Sequence, residues 1–202
     1  MGKPSRIENI FGDLRQHLLA APAHPGQRID IEALADRYGV STMPIRLLLN
    51  RMIGERVVEV TPHEGYIIPA AKERRIRDVH KWNKMILMLA IETAMDDGPD
   101  PDFPELDLDQ ADIVAATEAL FLAIADFSDT GETRYAVSNV NDRLRPIRQL
   151  DTGDLIDLPA EMAEFKAAWE AHDLNSLRDL VKQYHHRRLA LVPNFIAIAY
   201  SQ

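Results

Sequence analysis

The apolar positions fall into blocks whose spacing changes along the chain. Ile7, Ile10, Phe11, Leu14 and Leu18 recur every three to four residues, which predicts a first helix with Glu8, Asp13, Arg15 and Gln16 outward. Pro22-Ala23-His24-Pro25-Gly26 ends it. Ile31, Leu34 and Ala35 share one face of a short second helix over residues 31–38, closed by Gly39, which suits the left-handed residue after a helix. Ser41 is placed to cap a third helix over 42–54, with Pro44 tolerated in the first turn. Ile45, Leu48, Leu49 and Met52 form its inward stripe. Two strands follow, Val57-Val58-Glu59-Val60 and Tyr66-Ile67-Ile68, on either side of Thr61-Pro62-His63-Glu64-Gly65, a turn of hairpin length. Three helices and a hairpin in this order predict a winged helix-turn-helix.

Beyond Ala70 the pattern is helical only. Residues 70–77 form a short basic connection, and a long helix is expected over 76–95, with Val79, Trp82, Ile86, Leu89 and Ala90 among its apolar positions. The Asp- and Pro-rich stretch 96–104 breaks it. Further helices are expected over 109–127, 132–150, 159–171 and 174–198, with 152–158 as a connection. The fold class is therefore mainly α: an N-terminal winged helix-turn-helix over 1–70, a basic linker over 71–77, and an all-helical bundle over 78–202 for ligand sensing and dimerisation.

Composition sharpens this division. The net charge is −9 over 202 residues, but residues 1–77 hold twelve Lys/Arg against nine Asp/Glu, whereas 78–202 hold eleven against twenty-three. The first part is thus suited to phosphate, and the second should face away from it. The absence of cysteine excludes disulfides and thiol chemistry and fits a cytoplasmic setting. No apolar run is long enough for a membrane span, and the charged start argues against a secretory signal.

In a helix-turn-helix the second helix enters the major groove while the first crosses the backbone. With the inward stripe buried, Arg46 and Asn50 lie on the outer face, and Thr42 continues that line. Arginine matches guanine O6/N7 and asparagine matches adenine N6/N7, while Met43 suits a thymine methyl. Ser41 and Thr42 stand at the helix N-terminus, which favours phosphate. His63 and Gly65 sit at the wing tip beside an unhelpful Glu64. Arg51, Arg56 and the 72–77 cluster are candidate phosphate contacts without base preference.

The string Pro25-Gly26-Gln27-Arg28-Ile29, Leu34-Ala35-Asp36-Arg37-Tyr38-Gly39-Val40-Ser41, Pro44-Ile45-Arg46, with a wing closing on Gly65, resembles the GntR family of bacterial transcriptional regulators, in its FadR-like branch with a helical FCD ligand domain. The resemblance implies a ligand-responsive repressor, acting as a homodimer on double-stranded DNA, with a small-molecule effector such as an organic acid. Family members carry Arg-Thr where this chain has Thr42-Met43, Glu-Ala-Leu where it has Leu47-Leu48-Leu49, and a glycine where it has Arg56. Of the family's DNA-contacting arginines only Arg46 is kept, which implies a different operator. Many FCD domains hold a divalent metal through one acidic residue and three histidines. Those positions fall at Thr117, Phe121, Met162 and Tyr184, so no such metal and no cofactor is expected. Arg134, Asn141, Arg145, Tyr184 and His185 are candidate ligand-orienting residues within an apolar cavity. His185 and the adjacent His186 point about 100° apart and are expected at a surface or cavity rim.

The chain carries no glycine-rich phosphate loop or nucleophile elbow, and its carboxylates fall on loops and helix faces, so an enzyme is not expected. The alternative is a winged helix that has lost DNA binding and serves as a protein-interaction module.

Overall fold

The computed structural model describes residues 6–20, 26–96, 102–110, 112–150 and 155–201. The breaks expected at 22–25 and 97–101, the connection at 152–154 and the side chains of Ile7 and Glu8 lie outside the described residues. The chain divides into two units, Met1–Ala71 with Ile198–Gln202, and Lys72–Ala197.

The first unit contains α1 (Arg6–Ala20), α2 (Ile31–Tyr38), α3 (Thr42–Gly54), β1 (Glu59–Thr61) and β2 (Gly65–Ile67). Asp30 caps α2 by accepting from the Glu32 and Ala33 amides, both at 3.0 Å. Gly39 closes α2 at φ 60°, a left-handed conformation that costs glycine little. Ile45, Leu48, Leu49 and Met52 are buried against Ile10, Leu14, Leu34 and Val58, making the core of a three-helix unit.

The wing differs from expectation at its first strand. Val57 and Val58 are buried, and their amides donate to the Met52 carbonyl at 3.0 and 3.3 Å. They serve the α3 C-terminus, so the ladder begins only at Glu59. β1 and β2 pair antiparallel, Glu59 with Ile67 and Thr61 with Gly65. The other edge of β2 is covered by residues 26–29: Ile29 N–H donates to the Tyr66 carbonyl and Ile68 N–H to the Gln27 carbonyl, each at 2.8 Å. Gly65 has φ +74° and Arg56 φ 59°. Arg56 therefore occupies a left-handed position suited to glycine, the residue the family resemblance supplies there.

The second unit is built from α4 (Glu73–Asp96), α5 (Ile113–Asp126), α6 (Gly131–Arg148), α7 (Leu158–Glu170) and most of α8 (Leu174–Ser201). The segment expected as a linker is helical from Glu73, with Arg77 bonded to Glu73 one turn back and to the Leu189 carbonyl. α5, α6 and α7 begin where Asp112, Thr130 and Asp157 cap them, which moves their starts from the expected positions. α4, α5 and α6 pack mutually, and α7 packs on α5. Their core runs through Leu87, Ile91, Leu120, Phe121, Val140, Phe165 and Tyr184. Val79, Ile86 and Ala90 join it, but Trp82 and Leu89 do not. The molecule is mainly helical, with an N-terminal winged helix-turn-helix and a helical C-terminal part.

Candidate nucleic-acid interface and buried polar cluster

Burial of the α3 stripe leaves Met43, Arg46, Leu47 and Asn50 on the outer face, at i, i+3, i+4 and i+7. Arg46 is exposed. Asn50 is exposed too, but its Oδ1 accepts a 2.8 Å bond from the Tyr66 hydroxyl of the wing. It therefore ties recognition helix to wing, and its carbonyl is already engaged. Ser41 occupies the N-cap position with extended backbone, yet its side chain makes no cap bond. The first-turn amides of α3 thus carry no side-chain acceptor from Ser41, while Thr42 is half-buried beside them.

Arg51 lies apart from this face. Its guanidinium sits 4.0 Å over the Phe11 ring and donates to Glu55 at 3.3 Å, and Arg15 of α1 donates to the same carboxylate at 2.7 Å. Arg51 thus locks α1 to α3. His63 is exposed on the turn between the strands, where the Glu64 amide donates to Thr61 Oγ1 at 3.1 Å. A cleft between the start of α2, α3 and the wing brings Arg28 and Arg46 together with Asp30, Glu32, Glu64 and Gly65. Arg28 was not among the sequence-derived candidates. It became visible only when residues 26–29 added to β2.

Residues 6–68 match the family of bacterial regulatory proteins, gntR family. The match spans the winged helix-turn-helix. Among curated proteins, the chain is 25% identical over 101 residues to the HTH-type transcriptional regulator McbR of Escherichia coli (strain K12). That match spans 50% of this chain and 44% of McbR. It is 21% identical over 159 residues to the uncharacterized HTH-type transcriptional regulator YdhC of Bacillus subtilis (strain 168), covering 72% of this chain and 71% of YdhC. Among solved structures, E. coli McbR/YncC superposes with a TM-score of 0.75 at 19% identity, covering 95% of this chain and 98% of that one. A putative GntR transcriptional regulator from Rhodococcus sp. RHA1 gives 0.74 at 16% identity, covering 95% and 99%. These likenesses show the fold beyond the matched residues.

Within the helical unit the candidate ligand residues separate. Arg134 is exposed and pairs with Asp126, because it stands in the first turn of α6, at the surface. Asn141, Arg145 and Tyr184 instead join a network centred on Glu118. Arg145 and Arg148 both donate to that carboxylate, Arg148 at 3.3 Å. Arg148 also donates to Asn141 Oδ1 at 3.0 Å and to the Tyr184 hydroxyl at 3.1 Å. Burial pushes the Glu118 carboxyl up, against the pull of Arg148 and Arg145. A second carboxylate, Glu161, accepts from Arg187 at 2.6 Å and from Arg188 at 2.5 Å, and the Arg188 guanidinium lies 3.9 Å over the Tyr184 ring. Carboxylates expected on loops and helix faces are thus buried at Glu118 and Glu161, each held by two arginines.

His185 is fully buried, which corrects its expected place at a surface or rim; His186 is the exposed neighbour. The His185 and His80 rings meet edge to face at 5.7 Å, and Asn83 is buried beside His80 on α4. Among the described residues, no ring nitrogen of either histidine and neither polar atom of the Asn83 amide has a hydrogen-bond partner. Burial, with Arg148 and Arg188 nearby, lowers His80 to about 3; the same causes, with His80 and Lys84, hold His185 well below its usual value. A small cavity is bounded by His80, Thr117, Arg148, Tyr184 and Arg188 amid Ile113, Ile147 and Phe195. Of the five candidate ligand residues only Tyr184 lines it. Thr117, Phe121, Met162 and Tyr184 are all buried.

Proposed function

We propose that the chain is a ligand-responsive transcriptional repressor of the FadR-like branch, its helical unit an FCD-type domain, acting as a homodimer on double-stranded DNA in the cytoplasm. The observation that carries the reading is the outward stripe of α3 with Arg46 at its centre, in a domain that matches the gntR family. Arg46 is the guanine reader, with Thr42, Ser41 and the α3 amides on phosphate and His63 and Gly65 at the wing's edge of the groove. Asn50 acts by holding the wing in place, and Arg51 by holding α1.

The test is a mobility shift of the full chain on duplexes selected from a random pool. Binding is expected to weaken steeply with salt. Arg46→Ala is expected to cost about 1–3 kcal/mol at one base position and to relax the preference there. An Arg46→Ala protein that selects the same sequences with the same affinity sinks the assignment.

Dimerisation is supported by α4. Trp82, Met85 and Leu89 are 48%, 62% and 58% exposed at i, i+3 and i+7, an apolar stripe on the solvent side of a long helix. The double substitution Met85→Glu/Leu89→Glu is expected to halve the mass in sedimentation and to weaken operator binding. An unchanged mass would place the dimer contact elsewhere.

The effector reading is supported by the charge of the interior. Four arginines, Arg145, Arg148, Arg187 and Arg188, share two carboxylates, so the cluster favours an anion such as an organic acid. The cavity beside it holds about 20 Å³, room for one water. An organic acid therefore enters only as the surrounding helices part, which makes binding and displacement one event.

A further inference from the structure

We propose that α3 reads thymine through two apolar side chains, Met43 and Leu47, which seat against C5 methyl groups in the major groove. The inference rests on the DNA-binding reading above and specifies what that interface recognises.

Met43 is 72% exposed and Leu47 63%, among the most exposed large hydrophobic side chains of the described residues. They occupy half of the four-residue stripe that faces outward, where a soluble helix ordinarily presents polar groups. The stripe's two polar members are Arg46 and Asn50, and Asn50 Oδ1 is taken by the Tyr66 hydroxyl. The paired accept-and-donate geometry that asparagine needs for adenine is thereby compromised. What α3 offers a base edge is one guanidinium flanked by two apolar groups.

In the major groove the thymine methyl is the apolar feature that distinguishes the four standard base pairs, every other edge group being a donor or an acceptor. Methionine and leucine at i and i+4 stand about 6 Å apart along the helix axis. That is close to two base-pair steps of about 3.4 Å. A half-site with a guanine for Arg46 and thymines about one to two steps to either side satisfies all three side chains. The positive balance of residues 1–77 favours a polyanion over an apolar protein surface as the occupant of this face.

Replacing thymine by uracil removes the C5 methyl and leaves every hydrogen-bonding group in place. With the full chain and a duplex selected from a random pool, each thymine read by α3 is expected to weaken binding about fourfold when changed to uracil, the worth of burying one methyl group. The Met43→Ala/Leu47→Ala chain, altered only at exposed positions, is expected to bind thymine and uracil duplexes equally well. Equal binding of both duplexes by the unaltered chain, at every position, overturns the proposal. So does a double variant that keeps the uracil penalty, since the methyl would then act through DNA shape. Salt-dependent, sequence-selective binding that ignores uracil removes only the methyl readout, whereas no selected sequence at all removes the DNA-binding reading with it.

Discussion

Acidification from about pH 7.5 to about pH 4.5 is expected to remove on the order of 3 kcal/mol of stability from the helical unit through His80, and His185 adds to the loss in the same direction. Both rings are buried without hydrogen-bond partners among the described residues, and both are held neutral, His80 at about 3 and His185 well below its ordinary 6.5. Burial is the first cause for each. The charges facing them have the same sign as the proton: Arg148 from α6, Arg188 from α8, and Lys84 from α4 in the case of His185. The unfolded chain takes up both protons near pH 6.5 while the folded unit refuses them. Stability is therefore complete above that pH and lost as pH falls toward the folded values, by about 1.4 kcal/mol per unit for His80, with His185 contributing in the same direction. Glu118 works the other way, because its raised carboxyl binds a proton in the folded state first and offsets part of the loss. Denaturant unfolding followed by tryptophan fluorescence reads this unit alone, since Trp82 and Trp169 are the chain's two tryptophans and both belong to it. The expected slope approaches one proton from His80 between about pH 6 and pH 5, with His185 adding to it, and His80→Gln/His185→Gln should flatten it. A wild-type slope near zero, or an unchanged slope in the double variant, would show that these rings are not the cause.

The two units differ in how much of them the sequence discloses, and the reason is where the partners come from. α2 and α3 are bounded by local signals: an Asp before Ile31, Gly39 at positive φ, and Ser41 ahead of Pro44. The inward stripe of α3 follows from its spacing alone. The hairpin shifts by one or two residues because Val57 and Val58 answer to the end of α3, a tertiary demand that alternation does not encode. In the helical unit, Glu118 meets Arg145 and Arg148 across about thirty positions of sequence, and Glu161 meets Arg187 and Arg188 across a similar span. Periodicity sees one helix at a time. Signals did exist: Glu118 is the only charge between Ile113 and Ala125, so α5 carries it into the core. His80 and Asn83 fall on the same stripe as Ile76 and Leu87, which fixes them inward. Counting apolar residues along α4 without separating its faces placed Trp82 and Leu89 in the core, although they belong to the opposite face. For DNA contact, exposure was legible at Arg46, whereas the engagement of Asn50 by Tyr66 required the wing to be in place.

Glu118→Gln is expected to destabilise the helical unit by about 3–5 kcal/mol, the cost of leaving a buried charge without its counter-ion. The charge in question is Arg148. Its side chain is almost wholly buried, and among the described residues only Glu118 gives it a carboxylate; its other partners there are the neutral Asn141 and Tyr184 oxygens. Arg145 shares the same carboxylate but is about a third exposed, so it can turn to water when Glu118 is neutral. Arg145→Gln should therefore cost no more than about 1 kcal/mol, as for other partly exposed pairs. The asymmetry between two arginines on one carboxylate is the signature to measure. Glu118→Gln/Arg148→Met removes both buried charges together, and recovery of most of the lost stability is expected, since an apolar pair of similar volume often replaces a buried ion pair without loss. Urea unfolding by tryptophan fluorescence gives all four values. Equal losses for Arg145→Gln and Glu118→Gln, or no recovery in the double variant, would mean that Glu118 stabilises by packing and that the interior arginine charge draws no anion.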